Sequence, residues 1–220
     1  MTAIFMACHA QPPKSSFDPN TLGETPELVI ETSAGDITVK LYQETPLHRN
    51  NFLKLASTGY FDGVIFHRVI ENFMIQTGDP DSKNPEAGKM YGMGGPDYTV
   101  PAEIAPGLYH KRGALAAARN DNPDKASSGS QFYIVQGDVC PPELLEQLAE
   151  QGISFTPEQK ETYTQTGGAP WLDGGYTVFG EATQGMEVVD KIAALQKDRH
   201  DRPLQDVFIL RIYPVLSSRQ

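Results

Sequence analysis

The sequence predicts a mainly β domain, a barrel or sandwich with helices at its ends. Three observations point there. Short runs rich in Val, Ile, Phe and Tyr recur along the chain. The segments between them are rich in Gly and Pro, which break helices and make turns. Two amphipathic segments with helical spacing stand far apart, one early and one late, as end caps would.

Residues 9–26, with many Pro, Ser, Thr and Lys, read as a linker, so 1–26 form a tail and the folded domain is expected over 27–216. Leu28–Thr32 and Asp36–Tyr42 read as paired strands around the turn Ser33-Ala34-Gly35. Thr45-Pro46 predicts an N-cap followed by Pro at the first helical position. Phe52, Leu55 and Ala56 make the inward stripe of that helix, and Gly59 stops it. Strands follow near 63–70 and 73–77. In the first, Phe66, Arg68 and Ile70 are expected on one face, His67 and Val69 on the other.

Residues 80–98 read as long loops, with Gly92 to Pro96 as a flexible turn. Gly113 to Ala118 is small and apolar, and its flanking Gly and loop signals favour a buried strand over a helix. Gln131 to Gln136 and Val178 to Gly180 are further strands. Gly185 to Leu195 reads as the second helix, with Val188, Val189, Ile192 and Leu195 inward. Asp206 to Tyr213 closes the domain, with Val207, Ile209 and Arg211 alternating against Phe208, Leu210 and Ile212. Residues 138–170 interrupt the strand rhythm. A short helix from Glu143 to Glu150 and a capping box at Thr156-Pro157-Glu158-Gln159 mark a helical insertion.

Composition narrows the function. An apolar share of 39% supports a real core, and a formal charge of −10 argues against nucleic acid, which needs clustered Lys and Arg. Two cysteines, Cys8 and Cys140, provide neither a disulfide framework nor a metal set, and no metal or cofactor is expected. His67 lacks a second ligand at metal spacing and reads as a structural histidine satisfied by a hydrogen bond. No stretch has the length of a membrane-spanning helix. Phe5-Met6-Ala7-Cys8 resembles a bacterial lipoprotein cleavage site, although the apolar run is short and no Lys or Arg precedes it. Two compartments stay open: periplasmic or membrane-anchored through a lipidated Cys8 if the natural start lies upstream, otherwise cytoplasmic.

The run from Phe66 to Asp79 carries the functional signal. It sets Arg68 beside Phe73, Met74 and Gln76, a charge at the rim of an apolar pocket, with no nucleophile and no ligand set. Three segments together, Phe66-His67-Arg68 to Gly78-Asp79, Ser128-Gly129-Ser130-Gln131-Phe132-Tyr133-Ile134, and Trp171-Leu172-Asp173-Gly174 through Val178-Phe179-Gly180, resemble the motifs of the cyclophilin-type peptidyl-prolyl isomerases in order and rough spacing. The resemblance implies a closed, eight-stranded antiparallel barrel capped by a helix at each end, with a substrate groove on its outer face. It implies that Arg68 is catalytic and that Phe73, Met74, Tyr133 and Leu172 line a proline pocket. Gln76, Arg119 and Gln131 would hold the peptide backbone, with Ala118 and Trp171 on the walls and Tyr176 packing on the proline ring. The chain departs from the family pattern at Thr77, often Gly, at Arg119, often Asn in eukaryotic members, and at Tyr176, often His. These departures bear on substrate preference and drug affinity more than on the reaction.

The expected activity is therefore cis–trans isomerisation of X-Pro bonds in unfolded or flexible polypeptides, assisting folding. Cyclosporin-type cyclic peptides are an expected ligand class because Trp171 is present, and a monomer is expected. Two rivals use the same scaffold: a proline-peptide-binding chaperone module with little turnover, motivated by the insertion, and a scaffolding protein with a dead site.

Overall fold

The computed structural model describes residues 16–215, so Cys8 and the lipidation expectation lie outside the described residues. In chain order the elements are β1 (Glu27–Thr32), β2 (Gly35–Leu41), α1 (Pro46–Ser57), β3 (Arg68–Ile70), β4 (Met74–Thr77), β5 (Thr99–Val100), β6 (Ala114–Ala117), β7 (Ser127–Ser128), β8 (Phe132–Val135), α2 (Pro142–Glu150), α3 (Pro157–Gln165), β9 (Val178–Gln184), α4 (Met186–Ala193) and β10 (Ile209–Pro214). Eight strands make one antiparallel sheet in the order β10-β1-β2-β9-β6-β8-β4-β3, and β5 pairs with β7 apart from it.

The sheet curls around a core into which alternate residues of each strand point. Leu28 and Ile30, Ile37 and Val39, Ile75, Leu115, Ile134 and Phe179 meet there, all buried. Helix α1 plugs one end. Its Phe52 lies 5.3 Å from Phe61, 5.2 Å from Phe132 and 5.6 Å from Phe179, ring centre to ring centre. Helix α4 covers the other end through Val188, Val189 and Ile192. The β1–β2 turn depends on this packing: Gly35 has φ +136°, and a Cβ there would stand 2.8 Å from Val188 Cγ2.

Closure is narrower than the sequence suggests. The ladder is open between β3 and β10. A single bridge, Ile65 to Phe208, and the bonds Gly63 N to Ile209 O (2.8 Å), Phe66 N to Val207 O (2.9 Å) and Ile209 N to Val64 O (2.8 Å) join its ends. Residues 63–67 are thus not a strand, and the expected alternation fails there. Phe66 and Val69 both face the core, while Arg68 turns to the outer face. The alternation expected for β10 also breaks. A bulge opposite Glu31–Thr32 shifts the register, so Ile209 and Ile212 both point inward and Arg211 pairs with Glu31 outside.

Thr45 occupies the N-cap position of α1, but its hydroxyl makes no capping bond. The cap comes from far along the chain: the Glu103 carboxylate accepts from Leu47 N and His48 N, each at 2.9 Å, and from His48 Nδ1 at 2.7 Å. A carboxylate at a helix N-terminus satisfies orphan N–H groups and meets the positive end of the helix dipole. Helix α3, in contrast, has the local capping box predicted from Thr156 and Gln159.

Residues 138–170, expected as an insertion, hold a small core of their own, in which Tyr163 is fully buried with Leu145 and Cys140. Tyr163 packs edge-on to Tyr109 and Phe155 at 5.5 and 5.8 Å. The chain returns through Gly168, which bridges to both Lys111 and Asp138. A Cβ at Gly168 would run into the His110 carbonyl and the Tyr163 ring. The insertion is therefore fused to the 109–112 segment beside the barrel. No helix among the described residues is long and apolar enough to cross a membrane.

Candidate active site

Strands that fill the barrel with one face build the site with the other. On β6, Leu115 and Ala117 point into the core, and Ala114, Ala116 and Ala118 belong to a second apolar cluster outside it. Tyr133 and Val178 of the neighbouring strands, and Met74 one strand further on, join that cluster. Alanines on one strand beside larger residues on the next leave a hollow. The hollow is a cleft of about 270 Å³. Phe73, Met74, Ala118, Tyr133, Leu172 and Tyr176 supply its apolar lining, and Arg68, Gln76 and Arg119 its polar edge.

Arg68 is on β3 directly opposite Gln76 on β4. Its Nη1 donates to Gln76 Oε1 at 3.4 Å, and its side chain is 43% exposed. Gln76 Nε2 donates to Gln131 Oε1 at 3.1 Å, and Gln131 Nε2 to the Gly94 carbonyl at 2.8 Å. The direction of this chain follows from its first member, because a guanidinium only donates. Asp201 Oδ2 stands 4.0 Å from Arg68 Nε, while its other oxygen takes Lys197 Nζ at 2.8 Å. At such exposure the pairing contributes little.

Arg119 is more committed. Its Nε donates to Gly175 O at 2.9 Å, and its guanidinium lies 4.8 Å from the centre of the Tyr176 ring. It stiffens the wall that carries Tyr176 and has little of its side chain left to offer. Trp171 is at the rim, 41% exposed, with its ring 5.5 Å from Phe73. Thr77, where the family often has Gly, points away from the cleft and donates to the Ile65 carbonyl at 2.9 Å.

Several site residues escaped the sequence reading. Tyr91, Gly92 and His200 line the cleft. Tyr91 lies in the stretch read as long loops and Gly92 opens the turn read as flexible, but the buried Asp79 carboxylate holds that turn by accepting from Gly92 N and, at 3.2 Å, from Gly94 N. Arg202 clamps it from behind, donating to the carbonyls of Glu86 and Lys89 at 2.8 and 2.9 Å. His67 corrects an expectation too: neither ring nitrogen has a hydrogen-bond partner among the described residues. Burial pushes its pKa down to about 4, so it is neutral near pH 7 and leaves Arg68 as the charge on that wall. Burial likewise holds the Tyr133 hydroxyl well above the ordinary tyrosine range, so it keeps its proton.

No group of three or more His, Cys, Asp or Glu among the described residues could hold a metal ion. The cleft can seat a small apolar ring and present a permanent cation to it.

Known proteins fit this picture. Residues 27–213 match the family described as cyclophilin type peptidyl-prolyl cis-trans isomerase/CLD. A curated relative from Staphylococcus saprophyticus, named a putative peptidyl-prolyl cis-trans isomerase, is 38% identical over 189 residues, covering 85% of this chain and 90% of its own. One of the same name from Staphylococcus aureus is 38% identical over 184 residues, covering 83% and 88%. A solved cyclophilin type peptidyl-prolyl cis-trans isomerase of Cryptosporidium parvum superposes with a TM-score of 0.65 at 26% identity, covering 88% of this chain and 99% of its own. A second structure of that protein, crystallised in the presence of the dipeptide Ala-Pro, gives 0.63 at 26% identity, covering 87% and 99%.

Proposed function

The chain belongs to the cyclophilin-type peptidyl-prolyl cis-trans isomerases, and from that premise we propose that Arg68 drives the reaction on a proline ring seated against Phe73, Met74, Tyr133 and Leu172. The observation that carries this is the Arg68 guanidinium on the wall of an apolar cleft, half exposed and free of any tight ion pair.

Rotation about a peptide bond faces a barrier of roughly 18–20 kcal/mol from C–N double-bond character. When the bond twists, conjugation is lost, and the proline nitrogen becomes pyramidal and recovers a lone pair. A guanidinium aimed at that nitrogen binds the twisted state better than either planar one, which is the condition for catalysis. Arg suits the task because it stays charged at working pH and presents a rigid fork of donors. The pocket holds the pyrrolidine ring while the preceding carbonyl swings. Gln76, Gln131 and the backbone at Arg119 hold the peptide, and Ala118 and Trp171 flank it.

Substrates are X-Pro segments of unfolded or flexible polypeptides. Cyclosporin-type cyclic peptides enter the same groove, supported by the exposed Trp171. The protein works as a monomer, with residues 27–216 as its catalytic domain.

The test is a proline-peptide isomerisation assay. Arg68→Ala should lose about 10²–10³-fold in kcat, the usual cost of removing a preorganised donor. Arg68→Lys should recover only part of it, because the fork is gone. Full activity in Arg68→Ala would overturn the assignment.

A further inference from the structure

Tyr133 forms the back of the cleft and is 5% exposed, so its hydroxyl needs a partner within the protein. It meets His110 Nε2 at 3.0 Å. His110 is itself buried, and its Nδ1 lies 2.8 Å from Asp173 Oδ1. A carboxylate accepts, so Nδ1 carries a proton. In the neutral ring Nε2 is then the acceptor for the Tyr133 hydroxyl. The other oxygen of Asp173 accepts from the Tyr163 hydroxyl at 2.6 Å. Tyr163 is on α3, in the core of the insertion. Four side chains thus run without a break from the insertion to the back of the pocket.

The same chain controls a wall. Asp173 sits in the turn that carries Leu172 and Tyr176, both in the cleft lining. Its Oδ1 also accepts from His110 N at 2.9 Å, fixing that turn to the segment that leads into β6. The rings follow suit: His110 stacks with Tyr133 at 6.1 Å and 12°, and Tyr176 stands edge-on to Tyr133 at 6.2 Å.

We propose that the insertion is a working part of the proline pocket, with Tyr163 as a positioning residue that acts through Asp173 and His110 to hold Tyr133 and its facing wall. This rests on reading the Tyr133 cleft as the proline site. Arg68 stands two strands from Tyr133, across Gln76, and takes no part in the chain, so loosening it alters how the ring is seated and leaves the catalytic charge in place. Its signature is a rise in KM with kcat preserved.

The full-length protein is tested by line-shape NMR on an X-Pro peptide, giving kcat and KM for wild type, Tyr163→Phe, Tyr133→Phe and the double variant. Tyr163→Phe removes one oxygen and should raise KM about fivefold with kcat within about twofold, a coupling typical of residues in one hydrogen-bonded network. In the Tyr133→Phe background, where no hydroxyl remains to be held, the KM change on adding Tyr163→Phe should shrink to less than about twofold, the non-additivity that marks a shared network. Asp173→Ala, which removes the acceptor that His110 and Tyr163 share, should reproduce the KM rise. A fall in kcat at constant KM would report lost folded protein and overturn the proposal. Equal KM effects in both Tyr133 backgrounds, or an Asp173→Ala variant with wild-type KM, would also overturn it. Tyr133→Ala separates the two layers. If it raises KM while Tyr163→Phe does not, the relay is wrong and the pocket stands. If it leaves KM unchanged, the pocket reading falls, and the relay with it.

Discussion

The inner and outer faces of β6 and β8 share a backbone and differ in what they are for. Inward, Leu115, Phe132 and Ile134 meet side chains that fill the space between them, and Phe132 lies edge-on to Phe52 and Phe61 at 5.2 and 5.4 Å. Outward, Ala114, Ala116 and Ala118 leave room, and the one large residue, Tyr133, is held by a hydrogen bond. The core is stabilised by contact and the cleft by tethers. A site must stay empty to bind, so its lining is kept in place by polar chains that reach back into the protein: Arg68–Gln76–Gln131–Gly94 is one, Tyr133–His110–Asp173–Tyr163 another.

Substitutions that separate stability from activity would sharpen this contrast. The largest stability effect is expected inside. Phe132→Ala should lower the unfolding free energy by about 3–5 kcal/mol in a urea titration, the cost of an unfilled aromatic site. The outward neighbour should behave oppositely: Ala118→Leu should leave the urea midpoint nearly unchanged and raise KM about tenfold by filling the cleft, about 1.4 kcal/mol of lost binding. A stability loss at Ala118 to match Phe132 would erase the distinction.

A smaller effect tests the neutral His67. Its folded pKa is about 4, below the unfolded value near 6.5, so the unfolded state binds the extra proton between these values. Stability should therefore fall as pH drops from about 6.5 to about 4 and level off below. His48, also pushed down by burial, adds to the same slope. The wild type minus His67→Gln difference in urea midpoint isolates the His67 share, and a flat difference would remove it. The smallest change is at the distant cap. Glu103→Gln should cost about 1 kcal/mol by weakening the charge at the N-terminus of α1, with kcat and KM unaltered.

The pattern also shows what could be read from the chain alone. Strands and helices announced themselves through period and turn residues: Ser33-Ala34-Gly35, Pro46 and the Thr156 capping box all act locally and fell where expected. The cleft lining around Arg68, Phe73, Met74, Tyr133 and Leu172 was legible because three motif segments carry it. What stayed hidden depends on long-range pairing. Glu103 caps a helix 56 residues away, and Tyr163 reaches a pocket residue through two intermediates. The Glu31–Thr32 bulge and the narrow closure at Ile65–Phe208 likewise follow from register. Burial without a partner, as at His67, has no sequence signature either.

The chaperone alternative can be tested on the same contacts. Because the insertion is fused to 109–112, excising it should disturb the pocket as well as any client surface. Surface substitutions on exposed Glu143 and Glu146 keep that fusion intact. Their effect on client aggregation, read beside peptide turnover, separates binding from catalysis.

Binding is expected to depend on the apolar lining of the cleft and rate on the Arg68 guanidinium. Exchange NMR on an X-Pro peptide with Arg68→Ala, at saturating enzyme, measures both at once. Affinity should stay within about threefold of wild type while the bound-state cis–trans rate falls by about 10²-fold or more, as for a group that acts in the transition state. A variant that binds as the wild type does and still isomerises at the wild-type rate would contradict it.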